Sequence, residues 1–156
     1  MESSITQNHK TLATITHLST FSKYFIPFGN FIVPLVLWIS KKEESEYMDH
    51  HGKQALNFQI SILLYSICIG LLSIPFFIFF AHDFIGFANL LDHNTHDVHF
   101  DFSSLFEFRR GLPFLGLAAA FALVIFALDV ICSIVAALKA GEGVWYRYPL
   151  TINFIK

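Results

Sequence analysis

The fold class this sequence predicts is an all-α membrane protein, a four-helix bundle of two short N-terminal helices and two long transmembrane ones. Three observations carry that expectation. Hydrophobic residues make up 54% of the 156 and charged ones 14%, against about 45–50% and about 25% in soluble domains. With nineteen phenylalanines, that is more apolar surface than a soluble core of this size can bury. Then there are two long stretches of bilayer length, residues 54–80 and 113–138, and the first lies in a run without Asp, Glu, Lys or Arg that reaches His82. The same composition excludes intrinsic disorder. A net charge of −2 with basic residues scattered along the chain leaves no electrostatic footprint for nucleic acid. Two cysteines cannot make a disulfide scaffold.

The elements follow in order within one membrane domain, residues 1–156. The first residues are polar and have no compact apolar region behind them, so no cleavable signal is expected. Residues 8–24 read as an amphipathic helix, with Leu12, Ile15, Leu18 and Phe21 at three-residue steps and Thr and Ser between them. Pro27-Phe-Gly-Asn30 breaks it. Residues 30–40 are apolar, yet the core of that stretch, 31–39, reaches only about 14 Å as a helix. Residues 11–40 are therefore either one broken span or a hairpin of two short helices. Charge bias favours the hairpin, which puts Lys10 on the same side as Lys41, Lys42, Lys53, Lys139, Arg147 and Lys156 and leaves Lys23, Arg109 and Arg110 opposite. Both termini and the 41–53 loop then face the cytoplasm across the inner membrane, where Trp38, Trp145, Tyr146 and Tyr148 supply an aromatic belt.

The third helix is expected over residues 50–80, roughly 40 Å for its uncharged part, 54–80, with Pro75 kinking or ending its regular part. The fourth covers residues 113–140, opening on Pro113 and closing on Lys139 and Gly141. Residues 81–112 form a polar connection rich in His and Asp.

Several motifs form a series: His17-Leu-Ser, Pro27-Phe-Gly-Asn30 with Pro34-Leu-Val-Leu-Trp38, Lys41-Lys42, His51-Gly-Lys-Gln-Ala-Leu-Asn57-Phe-Gln59, Lys139-Ala-Gly-Glu142 and Tyr148-Pro-Leu-Thr-Ile-Asn-Phe-Ile-Lys156. The series resembles a bacterial family of small membrane proteins catalogued as a domain of unknown function, itself distantly similar to the Tic import components of the chloroplast inner envelope. The resemblance covers residues 12–80 and 113–156. It implies a four-helix membrane domain, brings no catalytic residues, and suggests a part in protein translocation or membrane-protein assembly.

Asp129 is the charged residue inside the apolar span 113–138, roughly 15 Å from Lys139 and so near mid-bilayer. A carboxylate there costs about 2.5–3.5 kcal/mol on insertion scales and faces the bundle or a wet cavity. Ala118, Ala122, Asp129, Ser133 and Ala136 make a small-residue stripe for close packing. On the third helix Gln54, Asn57, Ser61, Tyr65 and Cys68 form a polar stripe, with Tyr65 roughly 18 Å deep. Tyr65 or a neighbouring polar group is expected to hydrogen-bond Asp129. Asp129 then reads either as a protonatable group in a transport path or as a polar residue satisfied inside the bundle. The absence of a basic residue in any span weighs for the second.

His50, His51 and Lys53 stand at the cytoplasmic start of the third helix, as a proton-sensing or lipid head-group patch or as plain interfacial residues eased in by Gly52. His17 reads as a packing histidine. In the connection, His93, His96, His99 and Asp97 are candidate metal ligands by type, although their spacing matches no closed site and a solvated loop is the simpler reading. Cys68 and Cys132 sit at different depths and are expected unpaired. No nucleophile elbow, phosphate loop, dinucleotide fingerprint or zincin helix occurs.

The function expected is that of a non-enzymatic accessory or scaffold component of a membrane complex, without a cofactor. Its partners are the lipid bilayer and either other membrane proteins or further copies of itself. The alternative is a small oligomeric transporter or channel using Asp129.

Overall fold

Two long helices account for more than half of the computed structural model, which describes residues 5–91 and 102–156. In chain order the elements are α1 (Gln7–Leu18), a 3₁₀ segment (Ser19–Tyr24), α2 (Gly29–Lys41), α3 (Glu46–Leu91) and α4 (Phe102–Glu142). No strand occurs among the described residues. Thr6 caps α1, its hydroxyl accepting from the His9 N–H. The chain leaves the helical path before Pro27, which disfavours helical backbone at Ile26. Phe28 takes a left-handed conformation (φ 59°) and α2 starts at Gly29. A side chain at Gly29 would run into Ser22, so glycine lets α2 begin directly against the 3₁₀ segment.

Both long helices outrun the sequence reading. α3 begins before residue 50 and continues past Pro75, and α4 begins at Phe102 rather than at Pro113. A proline inside a helix removes one hydrogen bond and bends the axis. In an apolar setting the helix continues, because ending it would strand more backbone groups. The polar connection shrinks accordingly. His93, His96, Asp97 and His99 lie outside the described residues.

The chain divides into two units, one of Met1–Tyr65 with Phe126–Lys156 and one of Ser66–Ile125. The second holds the apolar middles of α3 and α4, where Phe76 stacks on Phe114 with ring centroids 5.0 Å apart. Its large side chains face outward: Leu72 is 70% exposed, Ile78 72% and Phe79 79%. Each of α3 and α4 carries a stretch long and apolar enough to cross a membrane.

The first unit packs α1, α2, the start of α3 and the end of α4 around small residues: Ala13, Ala55, Ala136, Ala137 and Ala140 are buried. One apolar cluster joins Ala13, Tyr47, Met48 and Ala140, and another joins Phe58, Cys132, Ala136 and Tyr148. Trp38 of α2 packs against α3 at Gly52, where any added side chain would overlap the indole ring. The buried polar residues include Thr16, His17, Thr20, His51, Asn57, Gln59, Ser61, Asp129 and Ser133. Ile15, Leu18, Phe25, Ile32, Val36, Ile39, Ile131 and Leu138 are exposed. Polar groups inside and apolar groups outside is the arrangement of a protein whose solvent is lipid. Cys68 is exposed, Cys132 is buried, and both are free thiols.

Candidate functional site

The first unit contains two buried polar networks and a polar seam. The first network centres on Asp129, which α4 presents inward on the same face as Ser133 and Ala136. Gln59 Nε2 of α3 donates to Asp129 Oδ1 at 2.8 Å, and the Lys23 ammonium forms an ion pair with Oδ2. Asn30, at the start of α2, donates to Gln59 Oε1 at 2.8 Å. Asp129 is thus held by groups from the 3₁₀ segment, α2 and α3 together. Each of its oxygens has a partner, which a buried carboxylate requires.

The sequence leads one to expect Tyr65 or a neighbouring polar group of α3 beside Asp129, and in the structure that group is Gln59. Gln59 lies two residues past Asn57, about 200° around the helix, and so off the stripe that periodicity picked out. Charge bias alone sets Lys23 opposite Lys10, whereas the structure pairs it with Asp129 although it lies outside every long apolar stretch. The small-residue stripe also divides: Asp129, Ser133 and Ala136 are buried, while Ala122 is exposed.

The second network is a hydrogen-bonded chain. Tyr148 Oη lies 2.9 Å from His17 Nδ1, and His17 Nε2 lies 2.8 Å from His51 Nδ1. All three side chains are buried. Burial holds the Tyr148 phenol above its ordinary value, so it donates. Burial first, then His51 and His50, push His17 well below its ordinary value, so it is neutral. With the phenol donating to Nδ1, the His17 Nε2–H donates onward to His51. His51 Nε2–H is then the buried end of the chain, without a well-aligned acceptor among the described residues. The Val144 carbonyl is the acceptor it approaches, and running the chain backwards would set a lone pair against that carbonyl. Thr20 donates to the His17 carbonyl at 2.8 Å and stands 3.5 Å from Ser133 Oγ.

Of the polar stripe of α3, Gln54, Asn57, Ser61 and Tyr65 bind the segment after α4, whereas Cys68 is exposed. His50 Nε2 donates to the Tyr146 carbonyl at 2.9 Å, and Gln54 Oε1 accepts the Tyr148 N–H at 3.2 Å. Tyr65 donates to the Leu150 carbonyl at 2.7 Å, at a turn where Leu150 is left-handed (φ 57°). The tail then returns toward the start of α3. Ser61 Oγ accepts the Ile152 N–H at 2.9 Å. Asn57 accepts from Phe154 and Ile155 and donates to the Ile155 carbonyl. Residues 146–155 therefore fold back along α3 as an extended hairpin, its backbone satisfied by side chains at steps of three and four.

His51 belongs to the buried chain, whereas Lys53 pairs with Asp49 at 2.5 Å and the Trp38 indole N–H donates to the same carboxylate at 2.9 Å. No group of three or more His, Cys, Asp and Glu side chains is arranged to hold a metal among the described residues.

Residues 8–155 match the model of a family described as the magnetosome magnetite crystal formation protein family (MamF/MmsF). No curated protein and no solved structure matches the chain. The motif series is therefore that of a bacterial membrane family with a described role. This corrects the expectation of a family without one, and the match carries no likeness to the Tic import components.

Proposed function

The chain belongs to the magnetosome magnetite crystal formation protein family, and from that premise we propose that it is a non-enzymatic scaffold of the crystal-forming membrane. It acts by packing with other membrane proteins or with further copies of itself. α1 and α2 form a hairpin that dips into the bilayer from the cytoplasmic face, with its tip at Phe25–Phe28 and both termini cytoplasmic. α3 and α4 span the membrane.

The observation behind this reading is the completeness of the Asp129 site. Lys23 takes one oxygen and Gln59 the other. A carboxylate so engaged ties the hairpin to both spans. Breaking one partner of a buried pair costs about 3–5 kcal/mol, while replacing both by apolar groups is often neutral. Asp129→Asn and Lys23→Met are thus each expected to lower the thermal unfolding midpoint in detergent. The double variant is expected to recover most of the loss and to support magnetite formation in a magnetosome-forming host. A stable Asp129→Asn protein that folds as the parent does, yet abolishes proton or iron flux in proteoliposomes, would establish the transporter reading instead.

A further inference from the structure

A cavity of about 310 Å³ opens between the start of α3 and the returning tail. That is ample room for a phosphate group or several waters. We propose that it is an oxyanion site, built to take a phosphate group carried either by a lipid head group or by free phosphate.

The lining has one sign of charge. Lys53 and His50 come from α3, and Arg147 and Lys156 from the tail, with Asn153 and Thr151 between them. No Asp or Glu side chain lines it. The nearby carboxylate, Asp49, spends one oxygen on Lys53 and the other on Trp38. Arg147 and Lys156 have no ion pair among the described residues. Gln54 and Asn57, also in the lining, are committed to the tail backbone. The groups left to meet a ligand are the Arg147 guanidinium, the Lys156 ammonium and the Asn153 amide.

A guanidinium with flanking ammonium and amide donors matches the tetrahedral oxygens of phosphate, and Arg supplies the forked pair. A metal cation does not suit the cavity, because its lining has no carboxylate side chain and His50 Nε2 already engages the Tyr146 carbonyl. Lys53 is the last charged residue before the long uncharged run of α3, and Trp38, Trp145 and Tyr146 lie close by in sequence or space. Head groups sit at that level of a spanning helix. The tail supplies about half of the lining, so an occupied site also ties residues 147–156 to α3.

The test uses the full chain and reads thermal unfolding by tryptophan fluorescence. One arm titrates inorganic phosphate into detergent-solubilised protein. The other compares vesicles containing phosphatidylglycerol with vesicles of phosphatidylcholine alone. Arg147→Gln is compared with the parent, and Lys42→Gln, which removes an exposed charge outside the cavity, controls for diffuse attraction to an anionic surface. Arg147→Lys keeps the charge without the fork. Stabilisation by phosphate or by phosphatidylglycerol, weakened about tenfold in Arg147→Gln and less in Arg147→Lys, is expected. Phosphate protection assigns the free ion, and protection confined to phosphatidylglycerol vesicles assigns the head group. The proposal is overturned by no protection in either arm, by equal protection in Arg147→Gln, or by an equal loss in Lys42→Gln.

Discussion

His17 illustrates how much one side chain can connect. It is fully buried and links α1 to α3 through His51 and to the tail through Tyr148. Burial, followed by His51 and His50, depresses its folded pKa well below the ordinary 6.5. In the unfolded chain it takes up a proton near 6.5 that the folded chain does not accept. The stability owed to neutral His17 is therefore complete above about pH 6.5 and declines as pH falls toward the folded value. Unfolding midpoints measured in detergent between pH 7.5 and 5 should drop on acidification. His17→Gln, which cannot titrate, should be less stable at pH 7.5 and show a shallower drop, and an unchanged slope would exclude His17 as the source. The residues that matter most here were unevenly legible. Asp129 was visible because a lone acid in a long apolar run has few explanations. Lys23 was not, because the run of sequence around it holds hydroxyls and a breaker cluster and gives no sign of depth. The His17–Tyr148 contact spans 131 positions, beyond the reach of any local pattern.

Among the elements, α3 repays the closest reading. Its stripe at Gln54, Asn57, Ser61 and Tyr65 was evident from helical spacing alone, since polar side chains on one face of an apolar helix must meet something polar. What they meet was not evident. An extended segment such as residues 146–155 has no helical period, and its backbone groups, not its side chains, are what α3 grips. Asn57 is the strongest point of the seam, serving three tail backbone groups. Asn57→Leu should leave them unpaired at a cost of about 1–3 kcal/mol. Hydrogen exchange should then speed up at the Phe154 and Ile155 amides by about tenfold or more, with α1 unaffected. Exchange unchanged at those amides would mean that the seam is held elsewhere. Gly52 shows the same limit of sequence reading. Its motif position suggested an easy passage into the bilayer, but its role is to receive the Trp38 ring, and a glycine does not announce which side chain fills the space it leaves.

At the scale of the whole molecule, composition sufficed to predict lipid as the solvent, and the distribution of exposure agrees with it. In the first unit, hydroxyls, imidazoles, amides and a carboxylate are inside, while Ile15, Phe25, Ile32, Val36 and Ile131 are outside. In the second unit nearly all large side chains with described surroundings are exposed and apolar. Cys68 gives a direct check, because it is an exposed free thiol on a spanning stretch of α3. In native membranes of a Cys132→Ser variant it should escape a hydrophilic maleimide, because hydrocarbon suppresses the reactive thiolate, and become reactive after denaturation. Prompt labelling by the hydrophilic reagent in intact membranes would place that stretch in water and refute the span.

The tie between Lys23 and Asp129 also sets a schedule. The two residues are 106 positions apart. Roughly 5–20 s of synthesis therefore separate their emergence, at about 5–20 residues per second. Throughout that interval the N-terminal hairpin carries an ammonium whose anion has not yet been made. Until α4 is made, the Lys23 ammonium has no Asp129 to pair with, so a contact of the first residues made is completed only by some of the last. A chain truncated before Asp129 should therefore be cleaved faster around residues 19–28 than the full chain, which limited proteolysis would measure.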